Sequence, residues 1–304
     1  MPVTTSVIIR TYNEERYLDE LLRAIAGQKF AEMDVEIVVV DSGSTDSTLE
    51  IAERHGCRIE NIKKSDFTFG YSLNVGCRAA KGEYLVFVSG HCIPVNGGWL
   101  EHLLTPLADG SVAYCYGRQI GRDTTKFSEN VHFCKTFPNY DKLPQKGYFC
   151  NNANAAITRE CWEQYPFDES LTGLEDMHLA KRLAASGRHV GYAAKAEVYH
   201  IHDETWTQVL NRYEREAYAL QSIAPELHFT RSDFIRFFFS GLFADLSKAV
   251  EQRCLRSEFI EIVKFRLYMY WGTYRGSKEH LELSEKMKMA YFYPKDQERK
   301  YYDN

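Results

Sequence analysis

Several things missing from this 304-residue sequence limit what it can do. Its eight cysteines (Cys57, Cys77, Cys92, Cys115, Cys134, Cys150, Cys161 and Cys254) include no Cys-x-x-Cys pair. That spacing argues against a zinc site or a disulfide framework and fits reduced, mostly buried thiols. There is no excess of positive charge: 37 Lys and Arg stand against 42 Asp and Glu, a net charge of -5, which argues against a nucleic-acid partner. No apolar run approaches the ~20 residues of a spanning helix. The most apolar late segment, Phe234 to Leu246, is interrupted by Arg236 and Asp245. Met1 to Ser6 has neither a basic start nor a long apolar stretch, so no secretory leader is expected. No internal repeat or low-complexity tract is found. The expectation is a cytoplasmic protein, either free or resting peripherally on the inner face of the membrane.

Aromatic side chains, in contrast, are plentiful: 20 Tyr, 18 Phe and 4 Trp. They either fill a core or serve sugar stacking and interfacial contact. The first 62 residues alternate strand and helix patterns. Val7-Ile8-Ile9 is a short buried strand, and Tyr17, Leu18, Leu21, Leu22 and Ile25 recur at helical spacing. Val35 to Val40 is a second strand, followed by a helix from Thr48 to His55 that Ser44 or Asp46 can cap. Cys57 to Ile62 makes a weaker third strand. This rhythm predicts an α/β fold with a Rossmann-like, mostly parallel sheet flanked by helices. Ligands of such sheets bind at the carboxyl ends of the strands. Thr11, Asn13, Asp41 and Ser42 are expected there. So is the end of the apolar run Tyr84-Leu85-Val86-Phe87-Val88, which stops at Ser89-Gly90-His91.

Three blocks then occur in order: Ser6 to Glu14; Val38 to Thr48, containing Asp41-Ser42-Gly43-Ser44-Thr45-Asp46; and Phe69 to Tyr84, containing Tyr71 and Asn74. Together they resemble the opening of the nucleotide-sugar glycosyltransferases of family 2, which have the GT-A fold. A fourth block, Gly173-Leu174-Glu175-Asp176 running into a helix, resembles that family's acidic pair. His200-Ile201-His202 followed by Trp206 and Arg212-Tyr213 looks like its bacterial rhamnosyltransferase members. The resemblance spans about residues 5 to 215. It implies a catalytic domain over 1–212, with a nucleotide-binding half of about 1–117 and an acceptor half of about 118–212. A helical extension over 213–304 would follow, suited to packing, to homo-oligomer formation or to membrane contact.

The resemblance implies a nucleotide-diphosphate sugar as donor and a glycan or lipid-linked hydroxyl as acceptor. Asp176 is then the general base of an inverting transfer, with Glu175 orienting it or binding acceptor. Thr11, Tyr12, Asn13, Glu14, Asp41, Ser42, Tyr71, Asn74, Ser89, Gly90 and His91 line the nucleotide. An aspartate at 41 can accept from a base N–H or from ribose hydroxyls, whereas Asn74 either reaches the nucleotide or caps its helix. Asn151, Asn152, Asn154 and Trp206 fall on the acceptor side, where the asparagines bond sugar hydroxyls or hold loop backbone. The segment Arg118 to Gln145 reads as irregular.

In one respect the sequence departs from the family. Where relatives carry Asp-x-Asp for a divalent metal, this chain has Ser89-Gly90-His91. Two routes stay open: a divalent cation, Mn²⁺ or Mg²⁺, held by His91 with His200 or His202; or a metal-free site where histidines and a cation such as Arg212 meet the diphosphate. A nucleotidyltransferase is disfavoured because Arg10 to Glu14 lacks a glycine-rich loop. A non-catalytic glycan- or nucleotide-sugar-binding module is disfavoured by the retained Glu175-Asp176.

Overall fold

The computed structural model describes residues 3–28, 33–278 and 285–293. The chain divides into two compact units. The first comprises residues 1–122, 133–170 and 175–201, and the second residues 123–132, 171–174 and 202–304. The sequence-based boundary at 212 falls inside a helix, Trp206–Ile223, that packs along a later helix of the second unit and so belongs with it.

The first unit opens with β1 (Val3–Thr11), α1 (Glu15–Ala26), β2 (Met33–Asp41), α2 (Thr48–Arg54) and β3 (Arg58–Asn61). α3 (Phe69–Ala79), β4 (Tyr84–Ser89), β5 (Cys92–Pro94) and α4 (Trp99–Ala108) follow. Next come β6 (Tyr114–Ile120), α5 (Phe127–Thr136, whose residues 127–132 are counted with the second unit), β7 (Asn154–Thr158), α6 (Arg159–Gln164), α7 (Glu175–Ala185) and β8 (Val190–His200). One sheet takes the eight strands in the order β3-β2-β1-β4-β7-β6-β8-β5. β3, β2, β1 and β4 run parallel, β7 is antiparallel to both its neighbours, and β6 pairs parallel with β8. The Arg118 to Gln145 segment is more ordered than its mixed composition suggests. β6 extends to Ile120, and α5 buries Phe133 on its inner side with Phe137 just beyond its end.

Side-chain alternation along the strands builds a core on each face of the sheet. Val7, Ile9, Val39, Val86 and Val88 point to one side, against Leu18, Leu21 and Leu22 of α1 and Trp99 and Leu103 of α4. Ile8, Val38, Val40, Leu85 and Phe87 point to the other, against Leu73 of α3 and Leu179 and Leu183 of α7. α3 lies so close that a Cβ on Gly76 would stand 2.5 Å from Ile8 Cγ2. A glycine is therefore required at that crossing.

The second unit is helical: α8 (Trp206–Ile223), α9 (Arg231–Glu251), α10 (Leu255–Gly276) and α11 (Glu285–Phe292). Thr205 and Thr230 begin α8 and α9 with reciprocal capping boxes. α10 packs on both α8 and α9. Between α9 and α10 lies a buried bidentate pair, Arg266 donating to Asp245 at 2.6 and 2.7 Å. Removing one partner strands the other charge in an apolar interior. Asp245→Ala is therefore expected to cost about 3–5 kcal/mol in denaturant unfolding, whereas the double replacement Asp245→Leu/Arg266→Met should cost far less.

Candidate functional site

The parallel register aligns the strand ends. Thr11 pairs with Asp41 across β1 and β2, and Arg10 pairs with Ser89 across β1 and β4. Asp41 is fully buried, and both its oxygens are occupied by protein donors. Thr11 Oγ1 and Ser44 Oγ donate to Oδ1 at 2.9 and 2.5 Å; the Gly43 and Ser44 N–H groups donate to Oδ2, each at 2.8 Å. This aspartate shapes the loop with its carboxylate. Asn13 takes the left-handed conformation (φ 53°), which asparagine tolerates better than most residues, and its side chain accepts from the Thr45 N–H. Lys64 donates to the Tyr12 hydroxyl at 2.6 Å. Ser42 is buried against the Thr11 carbonyl.

The end of β4 brings two histidines together. Cys92 pairs with His200 across β5 and β8, so the preceding residue, His91, lies beside His200 with rings 5.3 Å apart and 22° from parallel. Glu14 Oε1 is 3.1 Å from His91 Nδ1, and Gln119 Oε1 is 2.6 Å from His200 Nδ1. A Cβ on Gly90 would meet Glu14 Cγ at 2.8 Å, so the glycine admits the carboxylate to His91. Imidazoles that donate through Nδ1 to an oxygen keep their lone pair on Nε2, the arrangement of metal-ligating histidines. Two such rings with a carboxylate behind one of them fit Mn²⁺ or a softer divalent ion. Mg²⁺ demands oxygen ligands and fits poorly.

At the start of α7, Asp176 Oδ2 accepts from the Asn152 N–H at 2.9 Å and Oδ1 from its neighbour Met177 N–H at 2.7 Å. Arg10 Nη1 is 3.4 Å from Glu175 Oε1, which links the pair to the end of β1. The Asn152 amide also reaches Glu175, at 3.4 Å, while Tyr114 donates its hydroxyl to the Asn152 carbonyl oxygen. Burial and then the charge of Glu175 push the Asp176 carboxyl up to about 7, against the opposing pull of the two N–H groups and Arg10. Leu174, just before the pair, has φ 56°. A bulky residue held there is strained, a feature found often at functional sites.

Other expected site residues have different employment. Asn74 is buried, donating to the Phe167 carbonyl and Glu169 and accepting from Trp162 Nε1 and the Phe167 N–H. Asn154 accepts from Trp99 Nε1 and donates to the Arg118 and Ala196 carbonyls. Both are internal clamps; the Asn74 amide has no capacity left for a ligand, and the Asn154 amide has both N–H groups engaged. Asn151 accepts from the Ala153 N–H in a local turn. Tyr71 is half-buried near the start of α3 and gives its N–H to the Thr68 cap.

In the second unit, Trp206 packs against Tyr268 with the Val209 and Phe265 cluster. His202 lies 2.7 Å from Glu129. Arg212, an expected partner of the diphosphate in a metal-free site, is instead locked between Glu129 and Glu204, each at 2.7 Å. Burial raises the Glu129 carboxyl, but the charges of His202 and Arg212 outweigh it and hold the group well below the ordinary range.

Arg10 and Gln119 were missed by sequence reasoning. Arg10 lies within the recognised block Ser6 to Glu14, next to the residues that were singled out. Gln119 lies on the part of β6 read as irregular, so no signal pointed to it.

The family profile Glycosyl transferase family 2 matches residues 6–165, and Glycosyltransferase like family 2 matches 144–219. The chain is 30% identical over 225 residues to the O-antigen chain rhamnosyltransferase WbaN of Salmonella anatum, covering 70% of each protein. It is 42% identical over 88 residues to the poly(ribitol-phosphate) beta-N-acetylglucosaminyltransferase TarS of Staphylococcus aureus, a match covering 27% of this chain and 15% of TarS. The mannosyltransferase PcManGT of Pyrobaculum calidifontis, solved in complex with GDP-Man and Mn²⁺, shares its fold. The TM-score is 0.60 at 19% identity, covering 90% of this chain and 84% of that one.

Proposed function

This chain belongs to glycosyltransferase family 2, with the GT-A fold, and we propose that it transfers a sugar from a nucleotide-diphosphate donor to a hydroxyl of a polysaccharide or lipid-linked glycan, with Asp176 as base. The observation that carries this reading is the raised, buried Asp176 carboxyl, held by two N–H groups at the start of α7. A carboxylate with an ordinary acid pKa is a weak base at neutral pH. One raised to about 7 accepts a proton readily and is still about half ionised at that pH.

In this reading the acceptor hydroxyl gives its proton to Asp176 while its oxygen bonds to the anomeric carbon. The bond from that carbon to the diphosphate oxygen breaks on the opposite face, which inverts the configuration. Glu175 and Asn152 fix the base in place, and Arg10 balances the charge of Glu175. Thr11, Asn13, Asp41 and Ser44 give the nucleotide loop its shape, and Tyr12 and Tyr71 offer ring faces nearby.

The departing nucleoside diphosphate gains negative charge, and transition-state stabilisation must meet it. His91 and His200 are the residues that would hold a divalent ion, Mn²⁺ by their chemistry, with Glu14 and Gln119 fixing both rings. Such an ion, when bound, supplies positive charge to the diphosphate. The PcManGT complex with GDP-Man and Mn²⁺ supports this assignment by analogy of fold.

Donor turnover tests the reading. Release of nucleoside diphosphate from UDP-, GDP- and dTDP-linked sugars is expected for at least one donor, faster when a glycan acceptor is present. Folded protein that released none from any donor would overturn it.

A further inference from the structure

We propose that the α9–α10 hairpin of the second unit docks on an anionic lipid surface. The contacts Phe234–Trp271, Phe237–Tyr270 and Asp245–Arg266 ascend α9 while descending α10, so the two helices lie antiparallel. Each leaves an apolar stripe in solvent. On α9, Ile235 (55% exposed), Phe239 (48%) and Phe243 (65%) recur every four residues and so share one face. On α10, Ile260 (67%), Leu267 (42%) and Trp271 (42%) recur at seven and four and do the same. The stripes are joined rather than scattered. Phe239 stacks on Phe243 and meets Phe238; Phe238 stacks on Phe234, and Phe234 rests edge-on against Trp271. A contiguous exposed apolar surface of this kind marks an interaction site.

Charge identifies the occupant. Residues 231–278 hold nine basic and five acidic side chains in a chain whose overall charge is -5. One of those acids, Asp245, is buried with Arg266. Arg231, Arg236, Lys248, Arg253, Arg256, Lys264 and Lys278 are exposed, whereas Glu251 alone of the acids is equally open. An aromatic stripe bordered by long basic side chains suits the boundary between acyl chains and anionic headgroups. The rings enter the apolar layer while the lysines and arginines reach back to phosphate. A second copy of this chain would instead set the same positive border against itself. No helix among the described residues is long and apolar enough to cross a membrane, so the contact would lie along the surface.

Vesicle co-sedimentation of the full chain tests this, using phosphatidylcholine alone and phosphatidylcholine mixed with phosphatidylglycerol. Wild type is expected to bind the mixed vesicles, to bind phosphatidylcholine far less, and to be released by salt. Phe239→Ser/Phe243→Ser should weaken binding more than about tenfold through lost apolar burial. Arg236→Glu/Arg256→Glu should weaken it by about tenfold or more through lost charge attraction. Circular dichroism checks that each variant is folded; if the phenylalanine pair unfolds, the arginine pair carries the test. Wild type that ignored both vesicles would overturn the proposal, as would binding unchanged in the folded variants. So would a wild-type dimer in light scattering that the phenylalanine variant dissociates.

Discussion

Asp176→Asn is expected to lower the transfer rate by about 10²–10⁴-fold while leaving donor affinity near that of wild type. Asparagine keeps the size of the side chain and an oxygen for one of the two N–H donors, so the loop at Asn152 keeps its anchor. What disappears is the ability to take a proton. A companion effect separates this role from a structural one. Wild-type kcat/KM should rise with pH and level off above about 7, because only the ionised carboxylate acts as base.

The stability consequence runs in the opposite direction. The native carboxyl holds its proton more tightly than an unfolded aspartate, so its contribution is fully present below the unfolded value near 4 and is lost as pH rises through about 7. Asp176→Asn cannot ionise and escapes that loss. Its Tm should exceed that of wild type at pH 8 and match it near pH 4. A variant that transferred sugar at the wild-type rate would refute the base assignment.

The second large effect is expected at His91. His91→Ala should reduce kcat by about 10²–10³-fold, the scale found when a group that stabilises developing charge is removed. Glu14→Gln should do less damage, because the amide oxygen can still accept from Nδ1 although its charge is gone. His91→Asp is the more telling change. An oxygen ligand in place of imidazole should shift any metal preference from Mn²⁺ towards Mg²⁺. If His91 only packed against His200, all three variants would retain wild-type turnover and the same metal response.

The strand ends were legible because a buried strand that stops at polar residues has a local signature: Thr11, Asp41 and Ser89 emerge as expected from the register of β1, β2 and β4. The place of Glu175 and Asp176 at the start of a helix was legible from the apolar spacing of Leu179 and Leu183 that follows them. What escaped depends on contacts between distant parts of the chain. His91 meets Glu14 across 77 residues and His200 meets Gln119 across 81, which no local pattern encodes. Asn74 and Asn154 show the converse. An asparagine in a recognised block invites a ligand, yet each is engaged by a tryptophan N–H and backbone groups that only the packed fold brings near; for Asn154 that is the backbone-holding role of the two left open by the sequence. Arg212 is of the same kind: its two carboxylate partners lie 83 and 8 residues away. The helix Phe127–Thr136 was hidden by composition, since its polar face blurs the apolar spacing of Phe133 and its neighbours.

The most direct measurement is calorimetric titration of nucleoside diphosphates into wild type and His91→Ala, each with Mn²⁺, with Mg²⁺ and with EDTA. A histidine-built diphosphate site should bind nucleotide tightly in Mn²⁺, more weakly in Mg²⁺ and weakest in EDTA, and His91→Ala should lose the Mn²⁺ enhancement. Equal affinity in all three conditions, unchanged by the substitution, would contradict it.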